Sequence, residues 1–289
     1  MRVLVTGAAG VLGRALVIEA DLRGARVVAT GRSPSLEHAE LPESEIRVGA
    51  DLREPDECRR LVHDAAHELG GLDIVINNAA TLVRRPFREL ELDELEAAWE
   101  VNLRAPALIM QESFEYLRKA EVPAIVNVVS TAGVNGGVAT VSAYGMSKAG
   151  LIVLTKAVAR EFGPHGIRVF ALSPPSLDSE MQRSLPPEYR ERVRAMNVLG
   201  RLAAPDEVAR FTLLAAYYRG TQSLVKLASK SWRESELAAM FPNYLSANHA
   251  KLIVNAAAHR LVIRKIQLHA AHFRLMHDSM RGKLDRDRV

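Results

Sequence analysis

The chain has 289 residues, enough for one large α/β domain, and its 48% hydrophobic and 25% charged composition is that of a folded globular protein. A single cysteine, Cys58, excludes an internal disulfide and fits a reducing compartment; it reads as an incidental helix residue. The formal charge of +4 is uneven: residues 219–289 hold 13 of the 38 Lys+Arg and 5 of the 34 Asp+Glu, leaving 25 and 29 for residues 1–218.

The opening run, Met1 to Gly7, reads as a strand and its turn, which leaves no room for a signal peptide and points to the cytoplasm. Strands are predicted at residues 3–6, 26–30, 46–49, 72–76, 124–130 and 167–173, each short, rich in Val and Ile and apolar on both faces. Helices are predicted between them, at residues 12–23, 55–69, 105–119 and 143–162, and another opens at Pro205-Asp206-Glu207. This alternation predicts a doubly wound parallel sheet of Rossmann type, with helices on both faces in three layers. The uncharged stretch from Val122 to Ser147 is interrupted by Gly, Asn and Ser and does not read as a membrane span. The pattern changes after about Tyr218. Residues 1–218 therefore read as one α/β domain and 219–289 as a basic, mainly helical extension, with residues 260–269 open to a strand instead.

Between the first strand and the first helix stands Thr6-Gly7-Ala8-Ala9-Gly10-Val11-Leu12-Gly13. Glycines in such a turn let backbone N–H groups approach a pyrophosphate at the positive end of the helix. Further along come Asn77-Asn78-Ala79-Ala80 after the fourth strand, Asn102 in a helix, Ser130 at the end of the fifth strand, and Tyr144-Gly-Met-Ser-Lys148. On a helix, Tyr144 and Lys148 share a face. A lysine cation there is expected to lower the phenol's pKa, giving a pair that exchanges a proton with a carbonyl or alcohol oxygen.

In that order, over about residues 1–216, these motifs resemble the short-chain dehydrogenase/reductases. The resemblance implies hydride transfer with Tyr144 as acid or base, Ser130 holding the substrate oxygen, Lys148 tuning Tyr144 and holding the nicotinamide ribose, and Asn102 helping to bind a water on the proton path. It implies cofactor contacts from Thr6, Gly7, Gly10, Leu12 and Gly13, from Asp51 and Leu52 at the adenine, from Asn78 and Ala79, and from Pro174, with Ser179 nearby. Thr131 rivals Ser130, lying 13 positions before Tyr144, the commonest family spacing, but Gly133 favours Ser130. Thr30-Gly31-Arg32-Ser33 offers no carboxylate at the end of the second strand. Arg32 and Ser33 instead suit a 2′-phosphate, so NADP(H) is expected over NAD(H).

Four departures from the family stand out. Val11 takes the place of the middle glycine, Ala80 that of the glycine in Asn-Asn-Ala-Gly, and Pro175 that of the glycine after Ser-Pro, removing a backbone donor. After Leu199-Gly200-Arg201, the expected last strand with its Asp-Gly-Gly end is replaced by the basic extension. Its His269 and His272, three apart, and His277 invite a metal reading, but the pair finds no third strong ligand at metal spacing, and the few aromatics and lack of a recognised module argue against nucleic acid. The expected function is carbonyl–alcohol interconversion on a small molecule. Asn78 to Phe87 resembles sugar-acid oxidoreductases, in which Arg84 or Arg85 would meet a carboxylate; a 3-oxoacyl thioester is the equal alternative. A non-catalytic NADP(H)-binding protein, an epimerase or dehydratase of the extended branch, and the oligomeric state all stay open.

Overall fold

The computed structural model describes residues 1–178, 187–196 and 201–217. Six strands, β1 (Arg2–Thr6), β2 (Arg26–Gly31), β3 (Ile46–Gly49), β4 (Ile74–Asn77), β5 (Ala124–Val128) and β6 (Arg168–Leu172), form one parallel sheet in the order β3-β2-β1-β4-β5-β6. The helices are α1 (Val11–Leu22), α2 (Ser33–Glu37), α3 (Pro55–Leu69), α4 (Leu92–Trp99), α5 (Ala105–Leu117), α6 (Ala132–Asn135), α7 (Ser142–Phe162), α8 (Pro187–Met196) and α9 (Pro205–Tyr217). The doubly wound sheet expected from the sequence is thus observed. The predicted extension at 219–289, Tyr218, Ser179, Leu199 and Gly200 lie outside the described residues.

Alternation along β1 shows why the layers form. Val3 and Val5 pack with Leu12, Leu16 and Val17 of α1 and with Val208 and Leu213 of α9 on one face of the sheet. Leu4 points the other way, into Leu61 and Val62 of α3, Ile109 of α5 and Phe162 of α7. Each such fully buried aliphatic side chain contributes roughly 1.5–3 kcal/mol, so both faces of the sheet are committed to the interior. Cys58 belongs to this core, fully buried, with its thiol pKa pushed up to about 11 by burial. None of the described helices is long and apolar enough to cross a membrane.

The strand order reverses between β1 and β4. At such a switch point the loops leaving neighbouring strands diverge and open a crevice at the carboxyl edge. Gly7, Arg32, Asp51, Asn78, Ser130 and Pro174 all follow strand ends on this edge. The fold therefore gathers at one rim residues spread over 167 positions of chain (7 to 174).

Candidate active site

The glycine-rich turn is built by close approach. Gly7 has φ +66, and a Cβ there would lie 2.7 Å from Cα of Ala79. A Cβ on Gly13 would lie 2.0 Å from the Gly7 carbonyl oxygen, so α1 can start against the turn only without a side chain at that position. Gly10 is the N-cap of α1, and Val11, the departure from the family spacing, is simply the first helical residue. Thr6 locks this turn to the loop after β4: its Oγ1 accepts hydrogen bonds from the backbone N–H groups of Asn78 and Ala79, both at 3.0 Å. The Asn78 side-chain amide donates to the carbonyls of Thr6 (2.9 Å) and Gly7 (3.2 Å). Asn78 and Thr6 thus hold the cradle together, and Leu12 offers it only backbone because its side chain is in the core.

The ribose end matches the chemistry of a phosphorylated dinucleotide. The hydroxyl of Thr30 is buried with no hydrogen-bond partner among the described residues. Arg32 is exposed at the N-cap of α2 and makes no hydrogen bond or ion pair among the described residues. Ser33 follows it and its hydroxyl closes over Gly49. Asp51 stands beside them, its carboxyl held below the usual range by hydrogen bonds from Arg53 and more weakly by the charge of Arg32; Leu52, next in the chain, is buried in the core. A glycine cradle, an orphaned hydroxyl and an unpaired guanidinium fit a pyrophosphate and a 2′-phosphate.

Four residues assemble at the ends of β5 and α7. Tyr144 and Ser130 share a hydrogen bond. Thr131 is exposed and only begins α6, so Ser130 is the partner that geometry selects. A Cβ on Gly133 would lie 2.7 Å from the backbone carbon of Lys148, so this glycine lets α6 lie directly on α7 and brings Ser130 to Tyr144. Lys148 is 1% exposed; its Nζ donates to the Val128 carbonyl at 2.8 Å and sits 5.7 Å from the Tyr144 ring centroid. Burial pulls its pKa down to about 8.

One sequence expectation changes here. The expected lowering of the Tyr144 pKa by Lys148 is not the net result: burial pushes the phenol up, and the hydrogen bond with Ser130 offsets only part of this. Lys148 lies over the ring face and spends a donor on Val128, so its charge is not aimed at the hydroxyl. Asn102 lies in a π-helical turn, Glu100–Arg104, inserted between α4 and α5. Its Oδ1 accepts from Thr81 N (2.8 Å), and both amide protons are used, on Thr81 O (2.9 Å) and Ser147 Oγ (3.0 Å). The Asn102 side chain is therefore a bracket between the loop after β4 and α7.

Other contacts emerge only in three dimensions. Asn77 and Asn127 are cross-strand partners, joined by a 2.8 Å hydrogen bond, and Asn127 donates to Thr155 of α7 at 2.9 Å. This buried polar chain ties β4, β5 and α7 beneath the site. Read along the chain, Asn77 and Asn127 do not announce that they meet, 50 positions apart; their shared register on two apolar strands brings them together. Pro174 and Pro175 are half-buried in a loop fixed by a bridge between Leu177 and Ala203.

Comparison with known proteins identifies the family and the fold. A family model described as short chain dehydrogenase matches residues 1–190. A 3-oxoacyl-[acyl-carrier-protein] reductase of Aquifex aeolicus is 30% identical, covering 75% of this chain and 92% of its own. The cis-4-hydroxycyclohexanecarboxylate dehydrogenase of Sinomonas cyclohexanicum is 32% identical over 71% of this chain and 85% of its own. A short chain dehydrogenase of Burkholderia cenocepacia, solved with NADP, superimposes with a TM-score of 0.69 at 29% identity, covering 76% of this chain and 91% of that one.

Proposed function

The chain belongs to the short-chain dehydrogenase/reductase family, and from that premise we propose that it uses NADP(H) to interconvert a carbonyl and a secondary alcohol through Tyr144. The observation that carries the proposal is the hydrogen bond between Ser130 and Tyr144 beside a buried Lys148, at the carboxyl edge of the sheet. The bound nicotinamide supplies or receives the hydride. Gly7, Gly10 and Gly13 would hold its pyrophosphate, Arg32 and Ser33 the 2′-phosphate, and Asp51 the adenine.

In the reductive direction Tyr144 gives its proton to the carbonyl oxygen as that oxygen gains negative charge, and in oxidation it takes the proton back. Ser130 Oγ donates a hydrogen bond to the same oxygen, orienting it before transfer. Lys148 contributes positive charge beneath the ring, which favours the phenolate once the proton has left. The raised phenol pKa keeps Tyr144 protonated at neutral pH, the state that reduction requires. Asn102 positions α7 against the loop that crosses the site.

The reading confines the chemistry to residues 1–218 and leaves two substrate classes, sugar acids and 3-oxoacyl thioesters. Thermal unfolding of the purified chain with NADPH, with NADH and without either tests the core of the proposal. A ligand at 100 times its Kd adds about 2.7 kcal/mol to stability. Selective stabilisation by NADPH supports the assigned pocket; no shift with either nucleotide removes the proposal.

A further inference from the structure

Arg84 and Arg85 are equivalent in the sequence, and the structure separates them. Arg85 is consumed by the fold. Its Nε lies 2.7 Å from one Glu94 oxygen and 2.9 Å from the other, its Nη1 is 3.5 Å from Glu91, and these two glutamates form the capping box of α4. Its backbone N–H donates to the Thr140 carbonyl at 2.9 Å, four residues before Tyr144. Arg84 is exposed, and no hydrogen bond or ion pair reaches its guanidinium among the described residues.

The stretch from Thr81 to Arg85 is pinned at both ends. Thr81 is bracketed through both its N–H and its carbonyl by the Asn102 amide, which also binds Ser147 of α7. Arg85 is fixed to Thr140. The strap therefore crosses from the carboxyl end of β4 to the segment entering α7, and Arg84 hangs from it one residue before the second pin. The segment it joins carries two exposed apolar side chains, Val134 (69%) and Val138 (43%). A fixed backbone, an uncommitted guanidinium and exposed apolar side chains on the connection the strap is pinned to suit a molecule with an apolar body and one negative end.

We propose that Arg84 is a specificity-determining residue that anchors an anionic group, a carboxylate or sulfonate, at the end of the carbonyl substrate remote from the reacting carbon. This rests on the reading of Tyr144 as the proton donor. Arg85, the other candidate, positions the strap through α4 and does not touch the substrate.

The test compares 4-formylbenzoate with 4-formylbenzamide, which match in shape and differ in charge. Binding is measured by calorimetry to the full chain saturated with NADP+, where the aldehyde has no hydride to accept. The parent chain is expected to bind the acid at least roughly tenfold more tightly, the scale of one charge-assisted hydrogen bond. Arg84→Met equalises the two ligands and leaves the amide's affinity unchanged, Arg84→Lys keeps part of the preference, and Arg85→Met keeps all of it while unfolding at a lower temperature. Equal or absent binding of the acid to the parent chain overturns the proposal, as does a preference that survives Arg84→Met. Failure of the hydride-transfer reading shows separately, as an acid that binds selectively yet is never reduced with NADPH.

Discussion

The Nζ of Lys148 reaches the carbonyl oxygen of Val128 across 2.8 Å, so the ammonium of α7 is tied to the last residue of β5 inside the protein rather than to water. Burial holds its pKa near 8, well under its ordinary 10.5. A lysine depressed in this way is charged in both folded and unfolded chains below pH 8, where the folded state carries the whole cost of burying the charge. Between about pH 8 and 10.5 the folded chain has released the proton and the unfolded chain has not, so this contribution makes stability rise with pH across that window. The shift corresponds to about 3 kcal/mol below pH 8.

Lys148→Met should therefore stabilise the nucleotide-free chain at pH 7 while abolishing turnover. Loss of the hydrogen bond to Val128 returns roughly 1 kcal/mol, leaving a net gain of about 2 kcal/mol and a Tm higher by several degrees. The increment should shrink as the pH is raised from 8 to 10. Calorimetric scans at pH 7 and pH 10 check both; a Tm that falls at pH 7 contradicts the assignment of a strained, buried ammonium.

Tyr144→Phe removes one oxygen and should lower kcat by roughly 10²- to 10⁴-fold, the range for a proton donor in the reaction step. The stabilisation by NADPH should persist, because the cradle at Gly7, Gly10 and Gly13 is untouched. Near-normal turnover in this variant rules out the mechanism. Ser130→Ala should also lose activity, with Thr131→Ala close to the parent, since Thr131 is exposed and it is Ser130 that bonds Tyr144.

Arg32→Ala should weaken NADPH binding by roughly 10- to 100-fold, the value of a charge-assisted contact with the 2′-phosphate, and leave NADH binding nearly unchanged. Titration of nucleotide fluorescence measures the two constants. Equal losses for both nucleotides would place Arg32 outside the phosphate site.

Much of this was legible in the sequence because it rests on local rules. Two-face apolar strands such as Val3 to Val5, helices opening at Pro55 and Pro205, and the glycine turn at Gly7 each follow from backbone sterics over a few residues, and all are observed. What the sequence did not reveal depends on distance in space. The π-turn holds Asn102 where its amide meets Thr81 and Ser147, 21 and 45 positions away. The raised Tyr144 phenol reflects burial by elements that no window around Tyr144 contains. Arg84 and Arg85 were indistinguishable until Glu94 was seen to claim one of them.

Gly133 offers the sharpest steric test of how the site is assembled. It has ordinary helical surroundings and no positive φ, so alanine there is acceptable to the backbone itself. The new Cβ would nevertheless lie 2.7 Å from the backbone carbon of Lys148 and 2.8 Å from the nitrogen of Ala149, and backbone atoms cannot yield as a side-chain tip would. Relief requires α6 to move off α7, which draws Ser130 away from Tyr144. Gly133→Ala should cost about 1–3 kcal/mol of stability, as overpacking does, and should reduce kcat through loss of oxygen positioning. The nucleotide cradle lies on the other strands, so NADPH should still stabilise the variant. Gly136→Ala, three residues on, provides the contrast: it has φ +80 but open space around its Cβ, so strain there should lower Tm with a smaller effect on kcat. If Gly133→Ala retains full kcat and KM, close packing of α6 on α7 is not what brings Ser130 to Tyr144.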